Sequence, residues 1–275
     1  MTQRSFTAQF AAGDRVALAL EYQGSAFFGW QSQRKLNLPT VQETLENALS
    51  QIASAPITTV CAGRTDTGVH ASYQVVHFDT SVARTEKAWV FGGNALLPEG
   101  IAIKWARPVA SEFHARFSAT ARRYRYIIHN HPTRSAHLGT LTTFFPHALD
   151  AGLMHSEAQS LLGERDFSSF RGAGCQSNTA MRNVHHVMVS RSGDFIVVDI
   201  QANAFLLHMV RNIVGTLLAV GSGRKPPGWT AQVFAAKDRT LAAATAPPHG
   251  LYLIDVHYPP EFALPSSALG PAFLV

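Results

Sequence analysis

Two hydrophobic periods alternate along this chain. Residues 15–22, RVALALEY, form an apolar run of strand length, and Pro39, Thr40 and Glu43 mark a capping-box start for a helix reaching about Ala53. Strand-like stretches at 57–62 and 71–79 follow, then a helical stretch at 86–96 and a strand at 101–109. Beyond these come β-rich sequence over 113–130 and a helix over 151–162. A hairpin pairs 184–191 with 195–201, a long helix covers 205–221, and a strand over 251–258 closes the series. The Pro- and Ala-rich tail after Pro259 reads as irregular. Each half mixes strands with helices packed on one side, which predicts an α+β fold. A boundary falls near residues 110–115, with no linker to mark it.

The 205–221 stretch is apolar enough to suggest a membrane span. It is short for one, and Arg211 near its middle would cost roughly 2.5 to 3.5 kcal/mol in a bilayer. A buried helix of a water-soluble fold is the expectation. Its polar or small exceptions, His208, Arg211, Asn212 and Gly215, are spaced i, i+3, i+4, i+7 and form one stripe. A guanidinium on a buried helix needs a partner. Asp66 is one candidate, and a cap or another core group is the alternative.

Asp66 sits in CAGRTDTGVHA, residues 61–71, between two strand-like runs. Gly63 and Gly68 allow a sharp turn and close approach to a ligand, holding Arg64 near Asp66. Gly, Thr and Asp also build ordinary surface turns, so the residues alone leave both readings open. In ARRYRYII, residues 121–128, strand alternation sets Arg122, Tyr124 and Tyr126 on one face, and Arg123, Arg125 and Ile127 on the other. Tyrosine offers a stacking surface for a base and arginine neutralises phosphate, although a half-buried strand with solvated arginines would look the same. Phe27 to Trp30, leading into Arg34 and Lys35, reads as an RNA-touching loop or a packed aromatic turn. His114, Arg116 and Arg122 are further candidates for phosphate contact, or for surface ion pairs.

Composition narrows the class. Of 275 residues, 46% are apolar and 15% charged, as in a folded globular protein. Net charge is +5, with 18 Arg against 5 Lys, and the planar arginine fork suits phosphate and bases, although codon bias gives the same count. Two cysteines are too few for a disulfide framework and lack zinc spacing, while the N-terminus has no signal-like apolar run, so a reducing cytoplasm is expected. Adjacent His185 and His186 point to opposite faces of a strand, and no metal or cofactor is expected.

The motifs together resemble the tRNA pseudouridine synthase A family. The likeness runs from YQGSAFFGWQSQ at Tyr22 through TVQETLENAL, AGRTDTGVHA, QVVHF, FHARFSATARRYRYII and NAFLLHMVRNIVGTLLAVGSG to APPHGLYL at Ala246. These blocks cover roughly nine tenths of the chain in the family's order, which a chance motif hit cannot produce. The resemblance implies a catalytic Asp66, with Arg64 beside it, Tyr124 packing against the target base and Arg211 facing the carboxylate. Such a guanidinium would favour the charged, nucleophilic form of the carboxylate. It also implies two pseudo-repeated domains, 1–112 with the catalytic loop and 113–275, whose mostly antiparallel sheets join around an active-site cleft. The implied substrate is the anticodon stem-loop of tRNA, at positions 38 to 40, and the implied assembly is a homodimer. Arg34, Lys35, His114, Arg116, Arg122 and Arg123 remain candidate RNA contacts.

Departures from the family pattern are Thr67, where Ala is common, and Asn178 and Met181 in the block before Arg182. A hydrolase or nuclease would want a second carboxylate or metal ligands near Asp66; the sequence has no DxD or GxSxG pattern, and its HxH at residues 129–131 stands far along the chain from Asp66. GSG at residues 221–223 lacks the Lys-Ser/Thr of a P-loop. The remaining alternative is a catalytically silent tRNA-binding or folding protein, which would keep Tyr124 and the basic residues but need no Asp66.

Overall fold

The computed structural model describes residues 6–33, 36–266 and 268–274. The chain divides into two compact units. One holds the residues through Thr120 together with those from Leu253 onward, and the other is Ala121–Tyr252.

The first unit contains β1 (Gln9–Phe10), β2 (Arg15–Tyr22), α1 (Val41–Ala53), β3 (Val60–Cys61), β4 (His70–Asp79), β5 (Arg84–Thr85), α2 (Gly93–Leu96) and β6 (Ile101–Val109). β2 lies between β6 and β4 and is antiparallel to both; β3 pairs with β4, and β1 with β5. Val16, Ala17, Leu18, Ala19 and Leu20 are all fully buried, so β2 is covered on both faces and reads as a continuous apolar run. In α1, Val41, Leu45, Leu49 and Ala53 form the buried stripe, and Thr40 caps the helix by accepting the Glu43 N–H at 3.4 Å. The Glu43 carboxylate takes the Ser32 hydroxyl.

The expected strand over 57–62 shrinks to β3. Ile57 and Thr59 donate their N–H groups to Ser50 Oγ and Glu46 Oε1, both at 2.8 Å, rather than to a ladder. Buried Glu46 also accepts from Gln42 and the Thr59 hydroxyl, so one carboxylate fixes the segment. The helix expected over 86–96 contains a π-helical turn at Ala88–Gly92 before α2, and the adjacent Trp89 and Val90 are both buried.

The second unit contains β7 (Ala121–Asn130), β8 (Thr143–Phe145), α3 (Ala151–Ala158), β9 (Gly163–Asp166), β10 (Met181–Ser192), β11 (Phe195–Ala202), α4 (Met209–Gly221) and α5 (Trp229–Ala236). Strands β7, β11, β10 and β9 pair antiparallel in that order, and β8 runs parallel to β7. α3 packs on β10 and α4. Every residue of α4 except Arg211 is buried, as expected of a helix apolar nearly all round. Finally, β12 (Leu251–His257) begins in the second unit and enters the first, where Thr120 N–H bonds the His257 carbonyl at 2.8 Å. The architecture is α+β with mostly antiparallel pairing. Among the described residues no helix is long and apolar enough to cross a membrane.

Other boundaries moved as well: the helix expected over 151–162 ends as α3 at Ala158 and passes into a 3-10 turn, and the hairpin strand expected from 184 starts at Met181. The β-rich stretch over 113–130 becomes a strand only at Ala121, because residues 113–118 close on themselves by hydrogen bonds. The helix over 205–221 starts at Met209, because His208 adopts left-handed angles (φ 59°) as its N-cap.

On β4, buried His77 accepts the Ala115 N–H at 3.1 Å. Burial, followed by the charges of His114 and Arg15, lowers its pKa from 6.5 to about 4, against a smaller opposing effect of Asp79. Between these values the unfolded chain holds a proton that the folded chain does not, so this residue makes stability fall as pH drops from about 6.5 to about 4. Urea unfolding at pH 7 and pH 5 is expected to show a smaller pH loss for His77→Gln than for the wild type.

Candidate active site

Residues 62–69, the loop between β3 and β4, are anchored at nearly every step. Buried Gln74 grips Gly63, accepting its N–H at 3.4 Å and donating to its carbonyl at 2.6 Å. The hydroxyls of Thr65 and Tyr22 are 2.8 Å apart, and Trp30 N–H donates to the Thr65 carbonyl at 3.0 Å. Val69 N–H closes a turn onto the Asp66 carbonyl at 3.1 Å, with Gly68 at φ +78°. Just beyond, His70 Nδ1 accepts the Gly24 N–H at 3.0 Å.

Two glycines of the 22–33 segment set how closely that segment can approach the loop. A Cβ on Gly24 would lie 1.9 Å from the Val69 carbonyl oxygen. One on Gly29, at φ +85°, would lie 2.8 Å from the Thr65 oxygen and 3.2 Å from the Asp66 carbonyl carbon. No side chain fits at either position without moving backbone. The buried rings of Phe27 and Trp30 hold the same segment, so these two form a packed aromatic turn, while Phe28 is exposed. Within this frame Asp66 is half-buried, and Arg64 and Thr67 are exposed. Arg34 and Lys35 lie outside the described residues.

In the second unit, Tyr124 lies opposite Ile200 in the β7–β11 ladder, buried, with its ring edge-on to Phe205 at 5.0 Å. Arg122, also buried, donates to the Asn203 carbonyl at 3.1 Å. Arg123 forms a two-pronged pair with buried Asp199 (2.6 and 3.0 Å), and Arg125 adds a third bond to it at 2.9 Å. Arg123 is thus committed to a carboxylate that sequence reasoning missed; the one polar residue in IVVDI was its only signal. In the first unit, His114 Nδ1 accepts the N–H groups of Arg116 and Phe117.

The polar stripe of α4 faces the 239–246 segment. Arg211 Nε donates to the Ala246 carbonyl at 2.9 Å, and Ala246 N–H returns to the Arg211 carbonyl at 3.1 Å. Fully buried Asn212 donates to the Phe170 carbonyl and accepts from Arg239 and Thr245. A Cβ on Gly215 would meet the Ala244 oxygen at 2.0 Å. The backbone at Arg211 is therefore fixed by a helix and a strap. Of the sequence departures, Thr67, Asn178 and Met181 are all exposed. Among the described residues, no three His, Cys, Asp or Glu side chains gather as a metal site.

A sequence model of the tRNA pseudouridine synthase family matches residues 18–118 and 158–259. A protein of Shewanella amazonensis named tRNA pseudouridine synthase A is 59% identical over 260 residues, 94% of this chain and 99% of its own. Proteins of the same name from Histophilus somni and Aeromonas hydrophila are 59% and 58% identical, each over 94% of this chain and 96% of their own.

The contact at Gly29 can be separated from the strain of its backbone. Gly13 also has positive φ (+95°), but a Cβ there would meet nothing within 4 Å. Gly13→Ala should carry only the conformational cost, about 1 to 3 kcal/mol. Gly29→Ala should cost at least about 1 kcal/mol more through forced displacement of the Thr65–Thr67 backbone. Parallel denaturant melts measure the difference, and equal losses would remove the clamp from the account.

Proposed function

This chain belongs to the tRNA pseudouridine synthase family, isomerases that convert uridine to pseudouridine in tRNA, and on that premise we propose that it acts on the anticodon stem-loop at positions 38 to 40. Asp66 is the catalytic carboxylate in this reading, acting with Arg64, Tyr124 and Arg211. The observation that carries it is the clamped loop, which holds the backbone on both sides of Asp66 while leaving its side chain half-exposed.

The isomerisation breaks the N1–C1′ bond of uridine, turns the base and joins C5 to C1′. The proton on C5 is lost and N1 gains one, so atoms balance with no redox partner and no phosphate energy. One carboxylate serves, by attack at C1′ or by first taking a proton from the sugar. Tyr124 packs against the base and assists departure of the C5 proton. A uridine in a stacked stem must be flipped out at a cost of a few kcal/mol, met by contacts to the RNA. Exposed Arg64 is suited to steady a phosphate or the opened position. The family likeness also supports a cytoplasmic homodimer.

Pre-organisation is the physical support for this assignment. A catalytic group held before substrate arrives spares the reaction the cost of ordering it. Mapping pseudouridine along unmodified tRNA transcripts after incubation with the protein tests the reading. New pseudouridine confined to uridines at positions 38 to 40 is expected. Tight tRNA binding with no new pseudouridine anywhere would leave a silent tRNA-binding protein, and modification outside that loop would overturn the substrate site.

A further inference from the structure

The segment between β6 and β7 presents an aromatic ring to solvent on an unusually ordered backbone. Phe117 is 75% exposed, more than any other large hydrophobic residue among those described. Connecting segments are as a rule more mobile than the elements they join, yet here the N–H groups of residues 113 to 118 all have acceptors. Phe113 donates to the Ala110 carbonyl, and His114 and Ser118 exchange bonds at 3.0 and 2.9 Å. Ala115 donates to His77 Nδ1, while Arg116 and Phe117 donate to His114 Nδ1 at 3.2 and 3.1 Å.

The base of the segment is fixed as firmly. The fully buried Phe113 ring packs against Tyr258 and Phe262, each at 5.1 Å, and Tyr258 donates its hydroxyl to the Ala115 carbonyl at 2.6 Å. Arg15, paired with Asp79, donates to the carbonyls of Ser111 and Phe113. Burial and the Arg15 charge lower the His114 pKa, which favours the neutral ring, and the two amides aimed at Nδ1 leave its one proton on Nε2. The His114 ring lies 4.3 Å from that of Phe117 at 27°, a stacked pair, and the Arg116 guanidinium is 5.5 Å from the Phe117 ring centre.

The result is a rigid two-ring stack with a cation beside it, in a chain of net charge +5. Burial within the fold contributes little at Phe117, since the ring is largely in water. An RNA base presents a flat face to the ring and carries a phosphate toward the arginine, and stacking of this kind tolerates any base. We propose that Phe117, backed by His114 and flanked by Arg116, is a stacking platform for one unpaired base of the tRNA substrate. This rests on the tRNA reading above. It gives His114 a different role from the phosphate contact expected from sequence: a neutral support for the ring.

The test compares wild type, Phe117→Ala and Phe117→Trp for tRNA affinity, thermal melting and pseudouridine formation. Phe117→Ala should melt with the wild type, since the ring is exposed, and bind tRNA about 5- to 150-fold more weakly, the range set by loss of one base–aromatic stack. Phe117→Trp should keep wild-type affinity, and its added emission over the four native tryptophans should be quenched by saturating tRNA. Wild-type affinity in Phe117→Ala, or unquenched emission from Phe117→Trp at saturation, overturns the platform. A change in self-association of Phe117→Ala with unchanged tRNA affinity also overturns it and assigns the ring to a protein contact. If the wild type neither binds nor modifies tRNA, the functional reading fails and the platform with it; if the wild type does both and only the Phe117 results fail, the platform alone is lost.

Discussion

The closest constraint in this protein is the approach of the 22–33 segment to the loop that carries Asp66. Gly24 and Gly29 place backbone against backbone where no Cβ could stand, and Tyr22, Trp30 and Gln74 bind the same loop through hydrogen bonds. Fixing a residue's backbone costs about 1 to 2 kcal/mol of conformational entropy. Here that cost is met during folding, offset by buried rings and paired polar groups. The carboxylate and its neighbour Arg64 then extend from a loop that does not have to order itself for each substrate.

Similar logic governs the second unit. α4 is buried nearly all round, so its few polar groups had to find partners, and the 239–246 strap supplies them. Asn212 could not be buried without its three bonds, and Gly215 makes room for the strap's backbone. Across the sheet, Asp199 gathers Arg123 and Arg125, a buried carboxylate with two cations and net positive charge. Much of the arginine excess is therefore structural. Arg15, Arg107, Arg123, Arg125 and Arg239 hold carboxylates, carbonyls or an amide inside their own unit. The composition that suggested RNA binding partly reflects how this fold satisfies its buried polar groups.

Regular elements were legible wherever local pattern and tertiary demand agreed. The bounds of β2 and β6 match the expected strands, and Thr40 caps α1 as the motif predicts. Reading failed where a side chain took a backbone bond. Glu46 and Ser50 drew Thr59 and Ile57 away from a ladder, and His208 entered left-handed angles that its apolar surroundings did not signal. α5 and β9 escaped notice because their sequences lack clear periodicity. At the site, the type of loop was visible from its glycines. The clamp was not, because Gly24 and Gly29 lie some forty residues upstream and their purpose is a distance between backbones.

Whether the clamped carboxylate performs the isomerisation is tested most directly by replacing its charge and keeping its shape. Asp66→Asn, given [5-³H]uridine-labelled tRNA in single-turnover reactions, should bind tRNA within about threefold of the wild type and release no tritium above background, a loss of well over the 10²- to 10⁴-fold typical of removing an acid–base group alone. Tritium release by Asp66→Asn at a rate near that of the wild type would contradict the assignment of Asp66 and move the chemistry to another residue.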